Sequence, residues 1–154
     1  MIRKQWIVKG GILVIPFILT ISAHAQSRLE AGKELKVGSV LTNKTGMLFM
    51  RFCGNLVLYD KNHTVIWESG TYVDYGQQVK CLRMSEQGDL EVIVSSDNVK
   101  KLQPLWSSST SEKYGTEAVG AHLEIDWAHH LLKIISRDGR QLWCSQAAAQ
   151  GRPA

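Results

Sequence analysis

The chain has 154 residues, with 18 Lys or Arg against 14 Asp or Glu and a formal net charge of +4. Three of the basic residues and none of the acidic ones fall in the first 25, so the rest of the chain carries 15 basic against 14 acidic groups, a net +1. A near-neutral chain with only Lys100-Lys101 as a local basic cluster lacks the basic stripe of a nucleic-acid binder, and its length fits one domain with a modest core.

Arg3, Lys4 and Lys9 flank an apolar run of ten residues, Ile12–Ile21, and Ala23-His24-Ala25 forms a small-x-small site before Gln26. This layout predicts a secretory signal peptide over 1–25, of the kind that suits bacterial export. The run is half of the roughly 20 apolar residues a membrane span needs, so no span is expected once the signal is removed. The expected product is secreted or periplasmic, with one domain over 26–148 and a short tail over 149–154. Cys53, Cys81 and Cys144 would meet an oxidising compartment, where three cysteines allow one disulfide and one leftover thiol. Spacing alone leaves the pairing open.

Past the signal, the stretch LKVGSVLTN (35–43) reads as strand with a Gly turn. MLFMRF (47–52), VKCLRMS (79–85) and AHLEID (121–126) each read as a strand. Each precedes a longer alternating run: LVLYDKNHTVIW, DLEVIVSSDNVKKLQPLW and LLKIISRDGRQLW. These runs read as strand, turn, strand, with turns at Asp60–His63, Ser95–Gln103 and Arg137–Arg140, rich in residues that tolerate left-handed backbone. Each ends on a tryptophan, Trp67, Trp106 or Trp143, spaced 39 and 37 residues apart. No helical spacing is sustained over an 11-residue window after Ala31. Short strands at close intervals predict an all-β fold, and three like units predict pseudo-threefold symmetry, each unit supplying one sheet. The recurring Trp belongs in the shared core, where a large indole packs well.

In the first unit, Arg51-Phe52-Cys53-Gly54-Asn55-Leu56-Val57-Leu58-Tyr59 resembles the sugar-site motif Gln-x-Asp-x-Asn-x-Val-x-Tyr of the bulb-type (monocot, snowdrop-like) mannose-binding lectins. The Asn, Val and Tyr places match, while Arg51 stands at the Gln place and Cys53 at the Asp place. Leu35–Leu41 before the motif, and Trp67 with Ser69-Gly70-Thr71 after it, are also similar. The resemblance spans Leu29 to Ser145 and implies a β-prism of three antiparallel sheets around a Trp-lined axis.

The resemblance also implies roles. Alternate residues of one strand share a face, so Arg51, Asn55, Val57 and Tyr59 would line a carbohydrate site: Asn55 and Tyr59 bonding ring hydroxyls, Val57 packing on carbon. Cys53 cannot replace the motif's Asp as an acceptor, and losing one charge-assisted hydrogen bond costs about 1.5–3 kcal/mol. Arg51 opens the way to a different or acidic sugar. The second unit places Ser85, Gln87, Asp89, Glu91 and Ile93 on the motif, the third Asp126, Ala128, His130, Leu132 and Ile134. Gln87 and Asp89, then Asp126 and His130, are the polar remnants of a weak second and third site. Relatives of this type often carry a disulfide between the first two units, which implies Cys53–Cys81, with Cys144 as the alternative partner.

His122, Asp126, His129 and His130 sit close in sequence, but alternating strand directions keep them from converging on a metal, so neither metal nor cofactor is expected. No nucleophile elbow, phosphate loop or zinc-protease motif occurs. Asn43-Lys44-Thr45 and Asn62-His63-Thr64 match the glycosylation sequon. The expected function is a non-enzymatic carbohydrate-binding module for mannose-like glycans. Its rival keeps the fold but works by protein contact, in envelope assembly or as an antagonistic toxin. A homodimer by exchange of C-terminal strands is disfavoured by the short tail.

Overall fold

The structure, a computed structural model, describes residues 27–43, 45–96, 99–126 and 128–145. The expected signal segment 1–25 and tail 149–154 lie outside the described residues.

Among the described residues twelve strands run as β1 (Arg28–Leu29), β2 (Glu34–Lys36), β3 (Val40–Asn43), β4 (Gly46–Met50), β5 (Leu56–Asp60), β6 (Val65–Glu68), β7 (Gln77–Met84), β8 (Leu90–Ser96), β9 (Val99–Ser107), β10 (His122–Asp126), β11 (Leu131–Ile135) and β12 (Gln141–Cys144). They form three four-stranded antiparallel sheets, ordered β3-β4-β5-β6, β2-β7-β8-β9 and β1-β10-β11-β12. The all-β prism expected from the sequence is the fold. Period-two alternation sets each strand's faces: in β10 Leu123 and Ile125 are buried, whereas His122, Glu124 and Asp126 between them are only half-buried.

Each repeat supplies three strands of its sheet. The fourth comes from the N-terminal segment, which hands β1 to the third unit, β2 to the second and β3 to the first. The expectation that each unit builds a whole sheet is corrected accordingly. The stretch 35–43, with its turn at Gly38 (φ 78°), breaks into two strands that belong to different sheets.

The three tryptophans come from the last strand of each sheet and meet at the centre. Their ring centroids lie 6.4 Å (Trp67–Trp106), 6.4 Å (Trp67–Trp143) and 6.0 Å (Trp106–Trp143) apart, all edge-to-face. Such a pair adds about 0.5–1.5 kcal/mol beyond the area it buries. Around them pack Leu41, Leu48, Leu56, Leu58, Leu82, Leu90, Leu123 and Leu132, each fully buried.

A serine two residues beyond each Trp makes the same contact in every unit. Ser69 Oγ accepts from Leu56 N (3.0 Å), Ser108 Oγ from Leu90 N (3.0 Å) and Ser145 Oγ from Leu132 N (2.9 Å). The backbone of the same serines donates to the carbonyls of Leu56, Leu90 and Leu132, each at 2.9 Å. One residue thus satisfies both main-chain groups of a leucine in the first two places of the middle strand, where an unpaired group would be costly.

The second and third units are joined by a one-turn helix, α1 (Thr110–Tyr114), and a 3-10 turn over Gly115–Ala118. Neither is long enough to show a helical period in sequence. The 3-10 turn docks on the β7–β8 turn: Gly88 has φ 99°, and a Cβ there would lie 2.2 Å from the Ala118 carbonyl oxygen. The turn expected over Ser95–Gln103 is shorter, because β8 continues to Ser96 and β9 begins at Val99.

Ser145 is 1% exposed, and Ser145→Ala removes the side-chain acceptor of the Leu132 N–H. The expected loss is about 1–3 kcal/mol, read from urea denaturation; Ser27→Ala, on an exposed residue just before β1, is expected to stay within about 0.5 kcal/mol.

Candidate carbohydrate-binding face

On β5, Leu56 and Leu58 point into the core while Val57 and Tyr59 take the opposite side, and Asn55 stands just before the strand. Val57 has no exposed surface yet does not join the core cluster, so it is covered on the outside. Its cross-strand partners are Phe49 on β4 and Glu68 on β6. At the end of β4, Arg51 reaches along the row, and its Nη2 donates to the Tyr59 hydroxyl. Its guanidinium carbon lies 5.8 Å from the Tyr59 ring centroid. The bridge spans the Phe49–Val57 pair. The phenol oxygen raises the Arg51 pKa above its ordinary value.

Asn55 is placed otherwise than the motif implies. It is 0% exposed, and its amide is spent within the chain. Oδ1 accepts from Ser69 Oγ (3.1 Å) and from Gly70 N (3.1 Å). Nδ2 donates to Glu68 Oε2 (2.8 Å) and to Tyr72 OH (3.4 Å). An Asn side chain has two donors and two lone pairs, and all four are in use. Asn55 therefore pins the segment from Glu68 to Tyr72 against the start of β5. Arg51, Val57 and Tyr59 share the outer face above it. Sequence reasoning missed Glu68 and Tyr72 because they come from the next strand and the loop after it; only the cross-strand register brings them in.

In the second unit Asp89 stands at the Asn55 place. Its Oδ1 accepts from Ser111 N (2.8 Å) and its Oδ2 from Ser111 Oγ. Glu91 replaces Val57 and accepts from Arg83 Nη2 (2.8 Å) and Nε (3.0 Å). With Gly32, the buried Ser85 and the exposed Glu86 and Gln87 they line an open cleft of about 360 Å³. Gln87 and Asp89 are thus brought together.

The third unit needs a correction of register. The pairs Met50–Leu56 and Met84–Leu90 enclose turns of equal length, whereas Ile125–Leu132 encloses one residue more. A one-residue slip turns every later side chain to the other face. Leu132 and Ile134, expected on the outer row, are therefore fully buried in the core, and Lys133 takes the Val57 place. Asp126 keeps its expected position. His130 sits in the turn at φ 56°, exposed. Asp126 Oδ2 accepts from Lys133 Nζ and lies 2.9 Å from His129 Nδ1. The Lys133 bond first, and the His129 bond second, hold the Asp126 carboxyl well below the usual carboxylate range.

His122 lies at the far end of β10, its Nε2 3.7 Å from Glu124. Among the described residues no three His, Cys, Asp or Glu side chains are gathered to hold a metal. Cys53, Cys81 and Cys144 are all free thiols, so the expected Cys53–Cys81 bridge is not formed. Cys53 is exposed in the β4–β5 turn, whereas Cys81 is buried within β7 of another sheet. Burial pushes the Cys81 thiol up to about 11.

A scan against protein-family profiles and a sequence search of curated proteins return no match. Solved structures do match. A monomeric monocot mannose-binding lectin from Gastrodia elata aligns at 22% identity and a TM-score of 0.59, over 82% of this chain and all 100% of that one. The Marasmius oreades lectin aligns at 14% identity and a TM-score of 0.53, over 80% of this chain and 92% of that one. The fold is the bulb-lectin β-prism. Within this lectin fold, the three outer faces are where the units of this chain differ. Among the described residues no helix is long and apolar enough to cross a membrane.

Two substitutions probe the faces. Asn55→Ala leaves the part-buried Gly70 N–H contact without its acceptor and Glu68 without its amide donor, so it is expected to cost about 2–3 kcal/mol in denaturant unfolding. Lys133→Met is expected to cost about 1–2 kcal/mol at neutral pH. The depressed Asp126 carboxyl stabilises the fold above its unfolded value near 4 and ceases to do so as pH falls further. The gap between wild type and Lys133→Met therefore closes as urea melts are moved from about pH 5 towards about pH 2.

Proposed function

We propose that this chain is an exported, non-catalytic carbohydrate-binding module that holds a mannose-like glycan weakly on the outer face of its first sheet. The observation that supports it is the placement of Arg51, Val57 and Tyr59 on one face, with hydrogen-bonding groups at both ends and an apolar side chain between. That layout suits a hexose, whose polar rim surrounds C–H patches. The relative from Gastrodia elata is a mannose-binding lectin, which favours mannose as the first ligand to try. A ligand has to part Arg51 from Tyr59 before it reaches Val57, so single-site affinity is low. The faces of the second and third units, filled by the Arg83–Glu91 and Lys133–Asp126 pairs, are read as inactive.

One observation favours a second reading, in which the module acts through a protein partner. Asn55 has no hydrogen-bonding capacity to spare, and Phe52 (72% exposed), Tyr72 (59%) and Tyr75 (108%) stand in and just after the motif loops. Exposed aromatics of this kind are enriched at protein interfaces.

Retention on mannose-agarose and a glycan array at high protein concentration separate the two. Weak retention of the wild type is expected, reduced about fivefold in Tyr59→Phe for the loss of one neutral hydrogen bond. No retention of the wild type on any glycan would remove the carbohydrate reading and leave the protein-contact one.

A further inference from the structure

We propose that Glu68, delivered by β6, is the carboxylate of this sugar face, taking the part that Cys53 cannot play in the motif. The inference rests on the carbohydrate reading above and specifies how that site chooses its ligand.

A sugar hydroxyl bound firmly gives its proton to an acceptor, and a carboxylate is the strongest acceptor among side chains. The described groups nearest the row do not offer one. Arg51 only donates. The Tyr59 oxygen already accepts from Arg51, and the Asn55 amide is saturated. Cys53 is an exposed thiol, a poor acceptor. Asp60 follows Tyr59 on β5 and so alternates to the other side of the strand, where its Oδ1 caps its own turn by accepting from the Asn62 and Thr64 amides, each at 2.8 Å.

Glu68 meets the need by register. It is the cross-strand partner of Val57 and shares its face, with an exposed side chain. Its Oε2 is fixed by Asn55 Nδ2 at 2.8 Å. A carboxylate accepts at about four lone-pair positions, so one bond to Asn55 orients it without exhausting it. The buried Asn55 thus becomes a positioning residue, which explains why it sits beneath the face instead of on it. The equivalent place, one residue past each Trp, holds Ser107 in the second unit and Cys144 in the third. The first sheet alone has a carboxylate there.

The charges then decide the ligand class. Sheet order places Arg51, at the end of β4, and Glu68, on β6, on opposite flanks of Val57 on β5. One flank donates, the other accepts, and the pair is neutral overall. A neutral glycan with adjacent hydroxyls satisfies both. A uronic acid gains at Arg51 but meets repulsion at Glu68. The face therefore selects neutral glycans, and the acidic sugar that Arg51 alone would invite is disfavoured.

The test measures retention of wild type, Glu68→Gln and Glu68→Asp on immobilised mannan and on polygalacturonate, with melting curves of each. Glutamine keeps an acceptor for Asn55 Nδ2 but loses the charge. Glu68→Gln is expected to bind mannan at least about tenfold more weakly and to shift its preference towards polygalacturonate, a shift that a merely structural role of Glu68 would not produce. Should Glu68→Gln melt early, Glu68→Asp decides: the charge stays and the reach shortens, so mannan binding weakens several-fold while the neutral preference remains. Mannan retention equal to wild type in both variants overturns the role of Glu68 and leaves the lectin reading standing. Failure of the wild type itself to bind mannan overturns the mannose-type site and the role of Glu68 together.

Discussion

The fold depends on three indoles meeting at one point. Each sheet has one apolar face and cannot bury it alone. A prism closes all three, and half-buried indoles occupy the axis where the three sheets converge. Trp67, Trp106 and Trp143 do this with mutual edge-to-face contacts, the arrangement that the ring quadrupole favours. The serine two residues on then locks the start of the middle strand. Together they make Trp-x-Ser a local signature of a long-range event: the same tripeptide fills the axis and pins the neighbouring strand. The N-terminal segment adds a further tie, since β1, β2 and β3 each complete a different sheet. Peeling that segment away would strip an edge from all three sheets at once.

With the interior so constrained, the outer faces are free to differ. At the Val57 place the second unit has Glu91 in an ion pair with Arg83, and the third has Lys133 bound to Asp126. Both are satisfied internally and expose charge. The first unit instead keeps an apolar floor beneath a cation and a phenol, and only there does a carboxylate stand on the next strand. The chemistry that distinguishes the units lies entirely on side chains that the core does not need.

This division also sets what the sequence makes legible. The strands and the axis follow from local alternation and from the Trp spacing, because the core demands the same pattern three times. Four features did not follow. The sorting of β1, β2 and β3 into separate sheets is a matter of non-local pairing, which a stretch such as LKVGSVLTN does not encode by its alternation. The third unit's register turns on one extra residue in the β10–β11 turn; matching motif places by a fixed count carried Leu132 and Ile134 to the wrong face. Glu68 was invisible as a site residue because it lies outside the motif and reaches the face only across a strand. The one-turn helix α1 is too short to leave a periodic trace.

Asn55 shows why a motif match and a binding site are different things. Read along the chain, Asn, Val and Tyr at alternate positions look like three equal contacts for a ligand. In the structure they do three different jobs. Asn55 is a buried tie whose loss would loosen the segment 68–72 whether or not any sugar is bound. Val57 is a floor, and Tyr59 is the hydrogen-bonding group that remains half-open to solvent. A chain that had given up its ligand would still need Asn55, so the presence of that residue argues for the loop and not for the sugar. Tyr59 stands where the other units have Ile93 and Ile135. An isoleucine would cover the sheet equally well; the phenol adds an acceptor for Arg51 and sets a polar group at the end of an otherwise apolar row.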